Sequence, residues 1–214
     1  MQAEWYPPIR VACVGDSITY GAGTPNPAND SYPAQLATQL GKNWTVMNYG
    51  VMGATVLKKG DMPYWRTNEF RLARKFKPNV VIIALGTNDL KPGNLKNITE
   101  FVEDYVLMIE SFRKLEIRPD VWICYPVSAY PVNWRVTGSV IAKGVMLLID
   151  KFAGQSDANI IDLYGALSNR KEFFTNTVHP NTDGAKLMAE TIKAVITAGK
   201  TPSLSPHKHT QHRK

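Results

Sequence analysis

The run Val80-Val81-Ile82-Ile83-Ala84-Leu85 decides the fold class of this chain. It is apolar throughout and rich in β-branched residues, whereas a strand with one face in water alternates apolar and polar side chains. A strand buried on both faces is typical of a parallel sheet that is covered by helices on both sides. The polar segment Gly86-Thr87-Asn88-Asp89 follows directly, so we expect the chain to leave the sheet there in a turn.

Similar runs and helical stretches alternate on both sides of this strand. The predicted strands, each bounded by Gly, Pro or Asn, are 9–14, 44–49, 79–85, 120–125 and 159–163. The predicted helices, with apolar residues three and four apart, are 33–40, 66–76, 97–116, 136–152 and 182–198. This alternation predicts a single domain over 1–199, built as a three-layer α/β/α sandwich around a doubly wound, five-stranded parallel sheet.

The charge distribution narrows the class of partner. The chain of 214 residues carries 25 Lys+Arg against 18 Asp+Glu, a net charge of +7, which by itself would suggest a nucleic-acid partner. Four of the basic residues and no acid lie in 200–214, so the rest carries only +3. This tail also holds prolines and three of the four histidines, and we predict it to be disordered. No nucleic-acid partner is therefore predicted, and a nucleic-acid binder rests on the tail alone.

Composition also bears on compartment and cofactors. No apolar run approaches the roughly 20 residues of a membrane span, so no membrane association is predicted. The first residues do not form a charged-then-apolar leader, which favours the cytoplasm weakly and stays compatible with a signal removed earlier. Cys13 and Cys124 lie in apolar strands and are predicted to be buried free thiols. They suggest neither a disulfide framework nor a metal cluster, and no cofactor is expected.

Polar turns after the strands hold the candidate chemistry, because ligands of doubly wound sheets bind beyond the carboxyl ends of the strands. Ser17 follows the first strand, and His179, the only histidine before the tail, lies shortly before the last helix. A serine hydroxyl becomes a good nucleophile when a base removes its proton. Gly53 and Asn88 follow the second and third strands, and both are suited to donate N–H groups to an oxyanion. Each motif alone is a common turn; together they predict acyl transfer.

Four segments, taken in order, resemble the signature blocks of the SGNH (GDSL-type) hydrolase superfamily over about 9–198. The blocks are Gly15-Asp16-Ser17, Gly53 in its Asn-x-Gly-x-x-Gly setting, Gly86-Thr87-Asn88-Asp89 and His179-Pro180. The resemblance implies a flavodoxin-like sandwich with strand order 2-1-3-4-5. It also implies that Ser17 is the nucleophile and His179 the general base. The oxyanion hole would then consist of the Ser17 and Gly53 backbone N–H groups and the Asn88 amide.

One position departs from the family pattern, since Asn176 stands where the family usually has Asp, three residues before the histidine. A carboxylate there would hold the imidazole in the right tautomer and stabilise the imidazolium. Three explanations are open, of which the first is preferred. Asn176 is an introduced substitution that yields an inactive, substrate-trapping form. Alternatively, the enzyme works as a Ser–His dyad, with a backbone carbonyl or water orienting the ring. Finally, another carboxylate, Asp162 or Glu172, replaces the missing one.

The segment 57–65 and the Leu-Gly-Thr-Asn-Asp block are similar to the branch of the superfamily that holds sialate and other carbohydrate O-acetylesterases. This similarity implies hydrolysis of O-acetyl groups on a carbohydrate. The candidate substrate contacts are Asp16, Tyr64, Trp65, Tyr130 and Trp134. Aromatic rings there would stack on sugars, or they would simply pack loops against the sheet, and packing is the preferred interpretation of any single ring. The alternatives are an arylesterase, thioesterase or lysophospholipase of the same family, and a non-catalytic glycan-binding module. The oligomeric state is not predicted.

Overall fold

The computed structural model of the chain describes residues 7–91, 93–127, 138–156, 158–176 and 178–198. Its centre is a parallel sheet of five strands in the order β2-β1-β3-β4-β5. The strands are β1 Ile9–Gly15, β2 Trp44–Gly50, β3 Val80–Ala84, β4 Asp120–Cys124 and β5 Asn159–Ile161. Both the strand order and the parallel pairing that the family resemblance implies are therefore confirmed.

The described part of the chain contains eight α-helices, of which the last two follow the final strand. They are α1 Ser17–Tyr20, α2 Pro27–Asp30, α3 Tyr32–Leu40, α4 Asn68–Lys75, α5 Ile98–Arg113, α6 Gly138–Ser156, α7 Leu163–Leu167 and α8 Thr182–Ala198. Short 3-10 helices lie at Tyr64–Arg66, Asn88–Leu90 and Lys171–Phe173. In this part of the chain, no helix is long and apolar enough to cross a membrane.

The two faces of the sheet bury two separate apolar layers. Alternate residues of one strand face opposite ways, so Val81 and Ile83 of β3 pack with α4, α5 and α6, while Val80 and Ile82 pack with α3, α7 and α8. Both faces of β3 are thus buried, which explains its uninterrupted apolar sequence. The predicted three-layer sandwich is confirmed. Cys13 and Cys124 are buried free thiols, as predicted.

The largest differences from the predicted elements lie at their ends, where side-chain caps decide the boundary. Helix α4 begins at Asn68 instead of residue 66, because the Thr67 side chain accepts a hydrogen bond from the Phe70 N–H and ends the preceding 3-10 turn. Strand β5 stops at Ile161, because Asp162 caps the unpredicted helix α7 by accepting from the Gly165 N–H. Apolar periodicity does not report such caps. The polar tail 200–214 lies outside the described residues.

The register of the three central strands determines where the loops begin. Gly15 of β1 lies opposite Gly50 of β2 and opposite Ala84 of β3. The three strands therefore end at the same level of the sheet. As a result, the loops that carry the predicted site residues leave the sheet side by side, at the topological switch point where β2 and β3 flank β1.

Candidate active site

Ser17 is positioned by the tight turn between β1 and α1. Asp16 caps this short helix, and its Oδ1 accepts a hydrogen bond from the Ile18 N–H at 2.9 Å. Ser17 is the first residue of the helix, so its N–H has no intrahelical partner. The residue is 8% exposed. Its hydroxyl is thus held at the carboxyl end of the central strand, with limited access from solvent.

His179 lies next to Ser17, although the two residues are 162 positions apart in the sequence. The Ser17 Oγ and the His179 Nε2 lie 2.9 Å apart. The imidazole is partly buried, and this burial lowers the pKa of His179 below its usual value. The ring is therefore neutral at pH 7, which is the form that accepts a proton. The structure thus brings together the predicted nucleophile and the predicted base.

The other side of the His179 ring faces an amide instead of a carboxylate. The Asn176 Oδ1 accepts hydrogen bonds from the backbone N–H groups of Val178 and His179, at 3.0 and 2.9 Å. The Asn176 Nδ2 lies 3.0 Å from the His179 Nδ1. A rotated amide would point its NH₂ group at two N–H donors, so the nitrogen is the atom that faces the ring. Nδ1 then accepts and Nε2 carries the proton, which it donates to the Ser17 Oγ.

Neither of the carboxylates considered as a substitute acts on the imidazole. The Asp162 side chain caps α7, and Glu172 is exposed in the 3-10 helix Lys171–Phe173. Burial is the sole cause of the pKa shift at His179 among the described residues, and no carboxylate raises the value. These observations favour the first two explanations of Asn176 over the third.

Gly53 lies in a tight turn after β2. The Ala54 N–H donates to the Val51 carbonyl at 3.1 Å and closes the turn, with Gly53 at its third position. The backbone φ of Gly53 is +76°, a value that other residues adopt only with strain. Among the described residues, no hydrogen bond uses the N–H of Gly53 or of Ser17. Both groups are consequently available to an oxyanion.

Asn88 joins the three loops that leave the sheet beside Ser17. It opens the 3-10 helix after β3, and its Nδ2 lies 3.3 Å from the Asp16 Oδ2 and 3.2 Å from the Ala54 carbonyl oxygen. These partners belong to the loops after β1 and β2. The amide therefore lies between the turn that holds Ser17 and the turn that holds Gly53. All four predicted residues of the signature blocks thus come together at one edge of the sheet.

Two further polar residues fix these loops, and sequence reasoning assigned neither of them a role. The buried Asp89 accepts hydrogen bonds from the Val56 and Leu57 N–H groups, at 3.0 and 2.7 Å. Burial raises the pKa of Asp89 to about 6. Asn48 donates to the Thr19 carbonyl at 2.8 Å and so ties α1 to the end of β2. The signals were the place of Asp89 in a polar turn after a strand and that of Asn48 near the end of a strand, but both kinds of position are too common to single these residues out.

The predicted substrate contacts need correction. Tyr64 is fully buried and its hydroxyl donates to the Tyr49 carbonyl, so no face of the ring is open to a sugar. The Trp65 Nε1 donates to the Val56 carbonyl at 2.7 Å, and the Lys58 ammonium lies over the ring, so loop packing explains Trp65 as well. Asp16 is 1% exposed and contacts Asn88. Tyr130 and Trp134 lie outside the described residues.

Taken together, the geometry places a serine hydroxyl beside a neutral imidazole, near two backbone N–H groups from two loops and near the Asn88 amide, which donates to Asp16 and Ala54. Nothing in the arrangement resembles a metal site, since no group of three or more potential ligands lies close together in the described part of the chain. The arrangement is suited to attack on a carbonyl group followed by stabilisation of an oxyanion.

The sequence matches the profile of the GDSL-like Lipase/Acylhydrolase family over residues 13–187. An acetylxylan esterase from Xylanibacter ruminicola is 38% identical over 206 residues, which cover 88% of this chain and 43% of that protein. The chain thus spans less than half the length of this relative.

Two solved structures share the fold. Est24, a carbohydrate acetylesterase from Sinorhizobium meliloti, has a TM-score of 0.72 at 18% identity, over 89% of this chain and 99% of that one. The native aryl esterase of M. smegmatis has a TM-score of 0.70 at 17% identity, over the same shares. The profile match covers most of the chain, and it coincides with the serine, histidine and N–H donors that the fold brings to one sheet edge. The chain therefore belongs to the GDSL-like lipase/acylhydrolase family.

Proposed function

We propose that this chain is an acetylesterase that removes O-acetyl groups from a carbohydrate, with Ser17 as nucleophile and His179 as general base. The observation that carries the proposal is the 2.9 Å contact between the Ser17 Oγ and the His179 Nε2, beside the Asn88 amide. The substrate class is supported by the name of the 38% identical relative, an acetylxylan esterase. Because the chain spans less than half of that relative, the substrate is inferred and not transferred with the family.

The reaction follows from the positions of the polar atoms. His179 Nε2 takes the proton of the Ser17 hydroxyl while Oγ forms a bond to the acetyl carbonyl carbon. The carbonyl oxygen becomes an oxyanion, which accepts hydrogen bonds from the Ser17 N–H and the Gly53 N–H. It also accepts one N–H of the Asn88 amide, which exchanges its Ala54 carbonyl acceptor for the oxyanion and keeps Asp16. The bond to the sugar oxygen then breaks, and the imidazolium returns its proton to that oxygen. Water cleaves the acetyl-serine by the same steps in reverse and releases acetate.

Asn176 is expected to limit the rate of this form of the protein. Its amide nitrogen donates to the His179 Nδ1, so the ring proton resides on Nε2, the atom that must accept the serine proton. The ring has to exchange tautomers, or rotate the amide against two backbone donors, before it acts as a base. In serine proteases, the corresponding Asp-to-Asn change lowers kcat about 10⁴-fold. We therefore expect slow but serine-dependent turnover.

The test is acetate release from acetylated xylan, O-acetylated sialic acids and simple sugar acetates, alongside hydrolysis of p-nitrophenyl acetate. Ser17→Ala should abolish turnover, while Ser111→Ala, a remote helix serine whose hydroxyl only donates to the Met108 carbonyl, should leave it unchanged. Faster hydrolysis of phenyl butyrate than of any sugar acetate would contradict the substrate class. Binding of an acetylated glycan without Ser17-dependent acetate release would identify a glycan-binding module instead.

A further inference from the structure

We propose that Asp16 is a positioning residue of the oxyanion hole: its carboxylate orients the Asn88 amide, and the Lys91 ammonium favours the ionised form of that carboxylate. The inference rests on the function proposed for the same site. It assigns a role to Asp16 of the first signature block, which acts through Asn88, and to Lys91, which lies outside the blocks.

The two carboxylate oxygens of Asp16 both face N–H donors. Oδ1 accepts from the Ile18 N–H at 2.9 Å, and Oδ2 accepts from the Asn88 Nδ2 at 3.3 Å. The side chain is 1% exposed, so water does not replace these partners. A proton on the carboxyl group would weaken it as an acceptor, because hydrogen bonds to an ionised carboxylate are the stronger ones. Ionised Asp16 therefore holds the Asn88 amide more firmly than protonated Asp16 does.

The charge state of Asp16 depends on few neighbours. Burial raises the pKa of Asp16 to about 7; the Ile18 N–H opposes this shift, Asp89 adds to it and Lys91 opposes it. Tyr32 and Tyr105 also interact with Asp16, but burial raises the pKa of each hydroxyl well above its usual value, so both stay neutral. In the described part of the chain, Asp89 and Lys91 are thus the charges that act on Asp16.

Lys91 belongs to the same loop as Asn88. Its backbone N–H donates to the Asn88 carbonyl, and its Nζ lies 3.8 Å from the place that a Cβ on Gly53 would occupy. The Asp61 carboxylate lies 3.6 Å from this ammonium, and Asn94 holds Asp61 with hydrogen bonds in both directions. The ammonium is therefore tethered at the rim of the oxyanion hole, where its charge acts on the Asp16 carboxylate.

As a consequence, the fall in activity towards acidic pH should follow the protonation of Asp16. As the pH falls through about 7, Asp16 takes up a proton and becomes a weaker acceptor for the Asn88 amide. His179 has a pKa below its usual value and so gains its proton at lower pH. Loss of activity between neutral and mildly acidic pH would therefore precede protonation of the base.

The coupling can be measured without turnover. In the full-length chain, NMR follows the Asp16 carboxyl carbon and the Asn88 side-chain N–H₂ signals through a pH titration. We expect the Asp16 and Asn88 signals to titrate with one common midpoint at about pH 7. Lys91→Met should move both midpoints upward by about half a pH unit or more, because an opposite charge is removed. Lys91→Arg should restore them.

The matched control is Lys59→Met, which removes an exposed lysine that pairs with Glu100 away from the oxyanion hole; it should move neither midpoint. Asp16→Asn should abolish the Asn88 titration, and the Lys91 variants carry the test if that protein does not fold. The inference would be overturned by Asn88 signals that do not change at the midpoint of the Asp16 titration. It would also be overturned by midpoints that shift equally in Lys91→Met and Lys59→Met. Absence of Ser17-dependent hydrolysis with intact coupling would overturn the proposed function alone.

Discussion

The proposed site has an oxyanion half around Asn88 and a base half around His179, and a similar turn holds each half. In both turns an Asp or Asn side chain accepts from backbone N–H groups, but the remaining polar atom is an acceptor in one turn and a donor in the other. After β1, the Asp16 side chain accepts from the N–H two residues ahead and offers its other oxygen to Asn88. Before α8, the Asn176 side chain accepts from the N–H groups two and three residues ahead and offers its nitrogen to His179. The oxyanion half thus rests on an acceptor, whereas the base half rests on a donor.

The difference shows that the buried position carries a carboxylate, whereas the exposed position, where a carboxylate would lose little hydration, carries an amide. Burial raises the pKa of Asp16, so an ionised group there opposes folding. Asn176 is exposed, so a carboxylate in its place would keep most of its hydration. The molecule therefore holds a buried carboxylate that orients an amide, and it lacks the exposed carboxylate that would activate a base.

The largest effect on kcat is expected when Asn176 is replaced by Asp, so that the base half also rests on a hydrogen-bond acceptor. Asn176→Asp should raise kcat for p-nitrophenyl acetate by about 10²- to 10⁴-fold, because the carboxylate accepts from Nδ1–H and leaves Nε2 free to take the serine proton. It should also raise the pKa of His179, through attraction between the carboxylate and the imidazolium, and so move the protonation of the base to higher pH.

Asn181→Asp is the control for that variant. Asn181 lies in the same loop and its Oδ1 accepts from the Gly184 N–H, so the change adds the same charge without touching Nδ1. It should leave kcat within about twofold. Equal rates for Asn176→Asp and the parent protein would mean that Asn176 does not limit catalysis and would favour the dyad explanation.

The second prediction probes the oxyanion half, measured in the Asn176→Asp background so that rates are high. Asn88→Ala should lower kcat by about 10²- to 10³-fold with little change in KM, because it removes a donor to the oxyanion. Asp16→Asn should lower kcat by about tenfold, since its amide would set a donor against the Asn88 amide.

The effects of Asn88→Ala and Asp16→Asn on kcat should be strongly non-additive, because Asp16 acts through Asn88 and has nothing to orient once that amide is removed. Asp16→Asn and Asn176→Asp should combine additively, since they act on different halves of the site. Additivity in the first pair would contradict the positioning role of Asp16.

Much of the architecture was predictable, since it follows from long apolar runs. The strand 79–85 and the alternation around it indicated a covered parallel sheet, and the register of Gly15, Gly50 and Ala84 then made the three loops adjacent. The family resemblance implied the strand order and the four block residues. The helix start at Leu163 was missed, because the cap by Asp162 is a local hydrogen bond without apolar periodicity.

Substrate contacts and atom-level chemistry were less accessible from the sequence. Tyr64 follows a proline in a polar segment, and its complete burial depends on a hydrogen bond to a carbonyl 15 residues away in sequence. The identity of Asn176 was visible, but the orientation of its amide depends on two backbone donors that only the folded turn supplies. The link from Asp16 to Asn88 spans 72 positions and leaves no local pattern.

A third prediction concerns how His179 is held in the absence of a carboxylate. A Cβ on Gly23 would lie 2.8 Å from the His179 Cβ and 2.7 Å from the Pro180 carbonyl oxygen, at a φ of +103°. Gly23→Ala should therefore push the imidazole away from Ser17 and lower kcat by about ten- to a hundredfold. Gly41→Ala shares a positive φ but meets nothing within 4 Å. It should lower thermal stability by about 1 kcal/mol and leave kcat unchanged. Equal kcat in the two variants would contradict the proposed contact.

The smallest effect should come from Thr175, whose hydroxyl donates to the Gly23 carbonyl at 2.6 Å and ties the histidine loop to the turn after α1. Thr175→Val removes one exposed hydrogen bond between neutral groups, so kcat should fall about threefold, with about 1 kcal/mol lost in unfolding free energy. Thr38→Val removes a similar exposed bond, to the Ala34 carbonyl of α3, and should leave kcat unchanged. In the Asn176→Asp background the loss at Thr175 should shrink, because an ionised partner then holds the ring. If the loss stays the same in both backgrounds, the histidine half is held by its packing against Gly23 alone and the amide at Asn176 affects only the tautomer.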